Sequence, residues 1–261
     1  MKEKFFLFLS LFFLICACIS GFFLFRYYHQ SYEQEQQYDE VAAIYYEVAG
    51  NELYADDEKT DTENSNLANE DDLQKNTNHF LEELQAINPD CIGWIRIDDT
   101  NVDYPVVYKD NSYYLTHNFM NEPAKAGSIF LDENCKASDE LLLFHGHHMK
   151  NGTMFGDLKN YRKREFADSH ETVIFNPGTG EEEYQVFAAA LIDLTKDDYF
   201  HYEKLPGSKE EKENYLRSFL KVALWKKREL SEEDYEKKMI VLSTCDYGTN
   251  DQRLVLLAMK K

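Results

Sequence analysis

The hydrophobic and polar positions divide the chain into three parts with different patterns. Residues 5–25 form an uncharged and strongly apolar run, whereas residues 27–78 are mostly polar and acidic. From residue 79 onward, short β-forming runs alternate with polar turns. We therefore predict an apolar N-terminal segment at 1–26, an acidic stalk at 27–78, and one globular domain at 79–261.

The globular segment is predicted to be mainly β with flanking helices. Its length is sufficient for a single domain with a full core. Eight short runs are rich in β-branched and aromatic residues, and most are bounded by Gly, Pro, Asn or Asp, which indicates an eight-stranded barrel. The predicted strands are 92–97, 102–107, 127–131, 141–145, 172–175, 184–192, 239–243 and 253–259.

Three segments of the globular part have the periodicity of amphipathic helices. The first is 78–87, which Pro89 closes, and the second is 154–166. The third, 208–228, lies in the long connection before the last two strands. Its apolar stripe, expected to pack against the barrel, consists of Tyr215, Leu216, Phe219, Leu220, Ala223 and Leu224.

The last two predicted strands bring together a thiol and a guanidinium. The loop between them contains Gly248 and Asn250, so we expect an antiparallel pair that places Cys245 close to Arg253. The cation favours the thiolate, and its fork of donors suits an oxyanion that develops on an attacked carbonyl. Two simpler interpretations stay open: a small buried hydrophobic cysteine, and an arginine that keeps an edge strand soluble.

A general base for that thiol is expected in the polar turn after the run 141–145. This turn contains His145, His147 and His148. Nucleophile and base need only be adjacent in the fold, so their separation along the chain is no obstacle. His145 directly follows the apolar run and is expected to be a strand residue. Clustered histidines also suit zinc, but no second cluster at matching spacing completes a site, so neither a metal nor a cofactor is predicted.

Two segments combine these residues in a recognisable order: Gly146-His147-His148-Met149-Lys150-Asn151-Gly152-Thr153-Met154-Phe155, and Leu242-Ser243-Thr244-Cys245 with Arg253 following. Together they resemble the signature of the class B sortases. The resemblance covers the chain from about residue 80 to its C-terminus. One departure is His148, where related proteins often have Asn, but His147 occupies the motif position. Further matching segments, in the expected order, are Gly93-Trp94-Ile95-Arg96-Ile97, Val102-Asp103-Tyr104-Pro105-Val106-Val107, Tyr113-Tyr114-Leu115 and Ala126-Gly127-Ser128-Ile129-Phe130-Leu131-Asp132.

This resemblance implies a sortase-type barrel at 79–261 that acts as a membrane-anchored cysteine transpeptidase. Cys245 would be the nucleophile, His147 its partner and Arg253 the oxyanion stabiliser. The implied substrates are exported proteins with a C-terminal sorting signal similar to Leu-Pro-any-Thr-Gly or Asn-Pro-any-Thr-Asn/Gly. A thioester acyl-enzyme would pass them to a peptidoglycan precursor or cross-bridge amine, with the helix at 208–228 helping to form the wall of the substrate groove.

Three alternatives to that reaction stay open. Some class B relatives join pilin subunits through a lysine, and the residues do not separate this acceptor from a cross-bridge amine. A membrane-tethered binding module without catalytic activity would have no need of Cys245, His147 and Arg253 together. A thiol protease would release its product without any dependence on an added amine.

The apolar segment 5–25 is predicted to be a membrane anchor. About 20 apolar residues are enough to cross a bilayer. Lys2 and Lys4 precede the segment, which places the N-terminus in the cytoplasm and the catalytic domain outside the cell. A cleaved signal peptide is disfavoured because the apolar core continues through Phe22–Phe25, past the small residues. The same continuation disfavours a lipoprotein signal with Cys18 as acceptor.

The charge distribution limits the partners of the chain. Much of the formal net charge of −20 lies in the predicted stalk, whose acidic residues are opposed only by Lys59 and Lys75. We expect the half at 56–72 to be a flexible spacer and 41–48 to be helical. A solvated tether is favoured over a calcium site, and this acidity disfavours nucleic acid as a partner.

The cysteines agree with an exported enzyme that has a reactive thiol. Cys16 and Cys18 lie in the predicted anchor, which leaves Cys91, Cys135 and Cys245 outside. An odd number of cysteines in an exported domain indicates a free thiol. The spacing gives no evidence for a disulfide between Cys91 and Cys135, and none is predicted.

Overall fold

The structure, a computed structural model, describes residues 2–57, 79–246 and 251–261. Its contacts divide the chain into two compact units, Met1–Val41 and Ala42–Lys261. Helix α1, Lys2–Asp57, runs through the predicted apolar segment and into the predicted stalk. Within the described part of the chain, no helix has both the length and the apolar character that crossing a membrane requires. The anchor predicted at 5–25 therefore stays a prediction.

The second unit is built on a closed β-sheet. Its strand order is β5-β1-β2-β3-β4-β8-β9-β6-β7, and an additional pairing between β5 and β6 closes eight strands into a barrel. The ninth strand, β7, adds to the outside of β6 and leaves the barrel closure unchanged. The strands are β1 (Cys91–Arg96), β2 (Asp103–Tyr108), β3 (Ile129–Leu131), β4 (Leu141–His145), β5 (Thr172–Asn176), β6 (Glu182–Asp193), β7 (Ala223–Lys226), β8 (Met239–Asp246) and β9 (Gln252–Lys260).

The eight-stranded barrel predicted from the sequence is confirmed, but strand β7 was not predicted. Residues 208–228 were expected to form one helix, whereas helix α4 spans Lys209–Val222 and the chain then becomes extended. The extended residues pair with Ala188–Ala190 of β6, and the Trp225 indole N–H donates to the carbonyl of Tyr161 at 2.7 Å. These tertiary hydrogen bonds stabilise the extended conformation more than the local helix propensity of residues 223–226 stabilises a further helical turn.

The prediction of a single helix at 154–166 is also wrong in detail. Its residues form a 3₁₀-helix at Gly156–Arg162, followed by the short helix α3 at Arg164–Ser169. Lys163 separates the two with an extended backbone, φ −105° and ψ 127°. The helix expected at 78–87 is found as α2, His79–Ile87. Two further 3₁₀-helices occupy Tyr113–Leu115 and Glu232–Glu236.

Helix α4 covers one side of the barrel with the first part of the apolar stripe predicted for it, whereas Ala223 and Leu224 of that stripe belong to β7 and Leu224 is exposed. Tyr215, Leu216 and Phe219 are buried, and the helix lies against β6. Ser208 begins the helix as its N-cap, because its hydroxyl accepts from the Glu211 backbone N–H at 3.2 Å. The helix is therefore fixed at its start and along its buried face, which matters because it supports a loop beside the candidate site.

The part of α1 that belongs to the second unit packs on the barrel through Tyr45. This side chain is buried, and its ring stacks on Trp94 of β1 at 4.6 Å between centroids. The Tyr45 hydroxyl donates to Glu181 at 2.9 Å, and the ring meets Phe80 of α2 edge-on. The helix predicted at 41–48 is confirmed. The spacer predicted at 56–72 lies outside the described residues from residue 58 onward.

Candidate active site

The hairpin of β8 and β9 places Cys245 beside Arg253. The two strands pair antiparallel, and these residues lie directly opposite one another in the register. The side chain of Cys245 and the loop at 247–250 lie outside the described residues. Arg253 is half-buried, and its Nη1 donates to the carbonyl of Gln252 at 3.1 Å. The antiparallel pair expected from the sequence is therefore present.

His147 reaches the same end of the sheet from strand β4. This strand runs parallel to β8, with His145 opposite Ser243. The ladder continues one residue further, because the Gly146 N–H donates to the carbonyl of Ser243 at 3.2 Å. If this parallel register is continued for two residues beyond His145, His147 comes opposite Cys245. Three adjacent strands thus bring the three predicted residues to one edge of the barrel, and their catalytic roles stay predictions.

Gly146 allows the chain to turn closely over the core at this point. A Cβ atom at this position would lie 2.4 Å from Ile129 Cδ1 and 2.8 Å from the ring of Phe155. Both neighbours are buried, so they have little room to withdraw. A glycine between β4 and His147 is therefore required by the packing, which explains one position of the sequence motif in physical terms.

A backbone carbonyl orients the imidazole of His147. Its Nε2 lies 2.8 Å from the carbonyl oxygen of Leu115. Because a carbonyl only accepts, Nε2 carries the proton in this contact, and Nδ1 is the acceptor nitrogen of the neutral ring. This arrangement defines one tautomer for proton transfer. Sequence analysis did not find the carbonyl, since a main-chain acceptor leaves no signal in the residue types.

A buried polar network holds the turn that carries Leu115. The hydroxyl of Tyr114 donates to Asp90 at 2.8 Å, and Asn88 Nδ2 donates to that hydroxyl at 2.9 Å. Asn88 and Tyr114 are fully buried. Burial, and then the neighbouring carboxylate, raises the pKa of Tyr114, so the phenol stays a donor. The His147 acceptor is therefore part of a rigid element.

The loop between β6 and α4 lies over the strand of Cys245 through Tyr202. The Ser243 hydroxyl donates to the Tyr202 hydroxyl at 3.1 Å, and both residues are buried. Tyr202 is fixed from the other side, because the Tyr215 hydroxyl of α4 donates to its carbonyl at 3.0 Å. Between this loop and α4 is an open cleft of about 500 Å³, lined in part by Tyr199, Phe200, His201, Leu205, Tyr215 and Ser218.

We predict that Tyr202→Phe destabilises the domain by about 1–3 kcal/mol, because it leaves the buried Ser243 hydroxyl without this acceptor. The free energy of unfolding in urea measures the effect. Tyr202→Phe combined with Ser243→Ala should cost less than the sum of the two single changes, because both partners are then removed. Strict additivity of the two changes would show that the hydrogen bond contributes nothing.

A second polar pair lies one strand away from Ser243. His145 Nε2 is 2.9 Å from Asp132 Oδ2, and the carboxylate is 4% exposed. Burial raises the pKa of Asp132, but hydrogen bonds from His145 and Asn134 outweigh it and hold the pKa at about 2. His145 is the last residue of β4, which confirms the expectation that it belongs to the strand.

We predict an acid-dependent contribution of Asp132 to stability. Its folded pKa lies below the ordinary value of 3.8, so the stabilisation is complete above about pH 4 and is lost as pH falls through about 2. The free energy of unfolding of the unsubstituted chain should fall across this window by about 2 kcal/mol more than that of Asp132→Asn. Equal slopes for the two proteins would contradict the prediction.

The other two cysteines of the barrel unit, Cys91 and Cys135, are not suited to nucleophilic chemistry. Cys91 and Cys135 are free, and both are buried. Burial raises the pKa of each thiol to about 12, so neither forms a thiolate near neutral pH. The nucleophile assignment therefore rests on Cys245.

Comparisons with known proteins agree with this architecture. A family model for the sortase domain matches residues 95–261. Sortase B of Listeria monocytogenes is 37% identical over 170 residues, which are 64% of this chain and 67% of the relative. Sortase B of Staphylococcus aureus is 30% identical over 194 residues, 71% of this chain and 76% of the relative.

Solved structures give the same result. The crystal structure of Clostridium perfringens sortase B superimposes with a TM-score of 0.63 at 30% identity, and the match covers 69% of this chain and 99% of that one. Together, the matched domain model, the relatives and the barrel with its hairpin show that this chain belongs to the sortase family, within class B, whose members are cysteine transpeptidases.

Proposed function

We propose that this chain cleaves a C-terminal sorting signal of exported proteins and joins the new C-terminus to a cell-wall amine. The signal would resemble Leu-Pro-any-Thr-Gly or Asn-Pro-any-Thr-Asn/Gly. The observation that supports the proposal is the backbone register, in which Cys245 lies opposite Arg253 and His147 follows the neighbouring strand β4 by two residues. Nucleophile, proton carrier and oxyanion stabiliser are the three groups that acyl transfer requires.

In the first half of the reaction, the Cys245 thiol gives its proton to Nδ1 of His147, and the sulfur attacks the scissile carbonyl carbon. The carbonyl π electrons move to oxygen, and the Arg253 guanidinium opposite stabilises this oxyanion. The intermediate collapses, the C–N bond breaks, and His147 gives a proton to the leaving amine. The product is a thioester between Cys245 and the sorting peptide.

In the second half, an acceptor amine attacks the thioester and His147 takes up its proton. Collapse of the second tetrahedral intermediate forms the amide bond and releases the Cys245 thiolate. Nucleophilic attack by a neutral amine needs such a proton acceptor, and the contact of His147 Nε2 with Leu115 makes Nδ1 the basic nitrogen of the neutral ring. Water in place of the amine would give hydrolysis.

The proposed location is the cell membrane, with a single N-terminal span and an extracellular catalytic domain. Support comes from the uncharged sequence at 5–25, which is helical in α1, and from the exposure of Phe12, Phe13 and Phe23 on that helix. Single exposed phenylalanines are common, whereas several in one uncharged run favour an apolar environment. Fractionation of cells that produce the full chain, with alkaline extraction of the membranes, tests this location.

Two solved relatives support the proposed partners. Staphylococcus aureus sortase B has been solved as a substrate complex, and a sortase B has been solved with triglycine. Triglycine has a terminal amine, the group that the second half of the reaction consumes. A pilin lysine offers the same chemical group, so the acceptor is decided by experiment.

The proposal is tested by intact-mass analysis of residues 42–261, which form one compact unit, with sorting-motif peptides and with or without an amine. We expect a thioester adduct on the unsubstituted protein that a glycine peptide discharges, and no adduct on Cys245→Ala. Product release that is independent of the amine would indicate a thiol protease. Faster discharge by a pilin-type lysine than by a glycine peptide would indicate a pilin polymerase. Binding without an adduct on either protein would indicate a binding module.

A further inference from the structure

His145 and Asp132 form a polar pair that the proposed reaction does not use. Residues directly opposite on neighbouring strands share one face of a sheet, and so do alternate residues of a strand. His145 lies opposite Ser243, and Cys245 follows Ser243 by two residues on β8. The imidazole of His145 therefore projects from the same face as the proposed nucleophile.

The spacing of the sheet places His145 within reach of a peptide bound at Cys245. Neighbouring strands lie about 4.8 Å apart and alternate residues of a strand about 6.6 Å apart, so the two Cα atoms are separated by about 8 Å. One extended peptide residue spans about 3.3 Å, which makes this distance two to three residues of substrate. His145 is thus positioned beside the sorting motif, away from the scissile bond.

In this pair, one imidazole nitrogen of His145 contacts a carboxylate, and the side chain stays partly exposed. Nε2 lies 2.9 Å from the buried Asp132 carboxylate, which is also bonded by Asn111 at 3.0 Å and by Asn134 at 2.9 Å. The His145 side chain is 20% exposed. Among the residues that the structure describes, none has a hydrogen bond to its Nδ1. Because Nε2–H donates to the carboxylate, Nδ1 of the neutral ring is an acceptor.

We propose that His145 determines substrate specificity by accepting a hydrogen bond from a side-chain carboxamide of the sorting peptide, with Asp132 as the positioning residue that fixes its orientation. This inference rests on the proposed function. An acceptor nitrogen in a partly covered site increases the affinity for a substrate that supplies an N–H group. An apolar residue of similar size binds more weakly, because it leaves the nitrogen without a partner.

The test is a cycle between enzyme and peptide variants, with the rate of acyl-enzyme formation as the readout. Three pairs of matched peptides compare Asn with Leu at the first motif position, Gln with Met at the third, and Asn with Leu at the fifth. With the unsubstituted enzyme, we expect one pair to differ by about tenfold in kcat/KM in favour of the carboxamide. His145→Phe should remove that preference through KM while kcat stays within about twofold.

Three controls distinguish recognition from a structural effect. Asp132→Asn frees the imidazole to take the other tautomer, so it should weaken the preference at the same position. His170→Phe, at the residue that caps α3 and contacts Phe166, should leave the preference unchanged. A preference that is equal in the unsubstituted enzyme and in His145→Phe at every position would overturn the inference. No adduct on the unsubstituted enzyme with any peptide would instead overturn the proposed function, and this inference with it.

Discussion

His147→Gln should lower kcat for acyl-enzyme formation by about 10²–10⁴-fold, because it removes the proton carrier of both half-reactions. Glutamine keeps a side-chain N–H that can donate to the Leu115 carbonyl, so the local structure should survive. The unfolding midpoint is therefore expected to change little. Single-turnover kinetics with a sorting peptide, followed by mass spectrometry, measures the effect.

Two further measurements identify the lost function as proton transfer. Added imidazole should partly restore activity in a second variant, His147→Gly, since a free base can occupy the space that the missing ring leaves. The matched control is His170→Gln, because His170 lies at the end of α3 and contacts Phe166. This control should act like the unsubstituted enzyme. A fall of less than tenfold in His147→Gln would mean that another group carries the proton.

The sequence was sufficient for the strands because their apolar runs are a local property. All eight barrel strands were predicted, and so was the hairpin that sets Cys245 opposite Arg253. Strand β7 was missed because Ala223–Lys226 has the periodicity of the preceding helix, and only its partners on β6 show that it is extended. The interruption at Lys163 is likewise decided by packing, since no glycine or proline marks it.

The sequence predicted the residues that react, but it did not predict the groups that support them. Cys245, His147 and Arg253 have side chains whose chemistry is visible in a sequence. The Leu115 carbonyl is invisible there, because every residue has one. The contact of Tyr202 with Ser243 joins residues 41 positions apart, and its only signal was an unassigned tyrosine in a long connection. Asp132 was quoted as part of a motif, without its partner His145.

Arg253→Lys should lower kcat by about 10²–10³-fold, the usual effect of removing an oxyanion donor. Lysine retains the positive charge but has no planar fork, so it cannot present two fixed donors to one developing oxyanion. Arg253 lies opposite Cys245 across the hairpin, so its donors are expected to act on the oxyanion that forms when the sulfur attacks. The loss should therefore affect the transition state more than substrate binding. KM should change by less than about threefold, since the ground-state carbonyl makes weaker use of the same donors.

A second substitution separates the two roles of the arginine. Alkylation of Cys245 by iodoacetamide as a function of pH reports the thiolate fraction. Arg253→Lys should leave this profile close to that of the unsubstituted enzyme, whereas Arg253→Met should shift it to higher pH because the cation is lost. Arg217→Lys is the matched control, since Arg217 is exposed on α4 beside Glu213. Full activity in Arg253→Lys would show that charge alone is required and that the fork of donors has no part in catalysis.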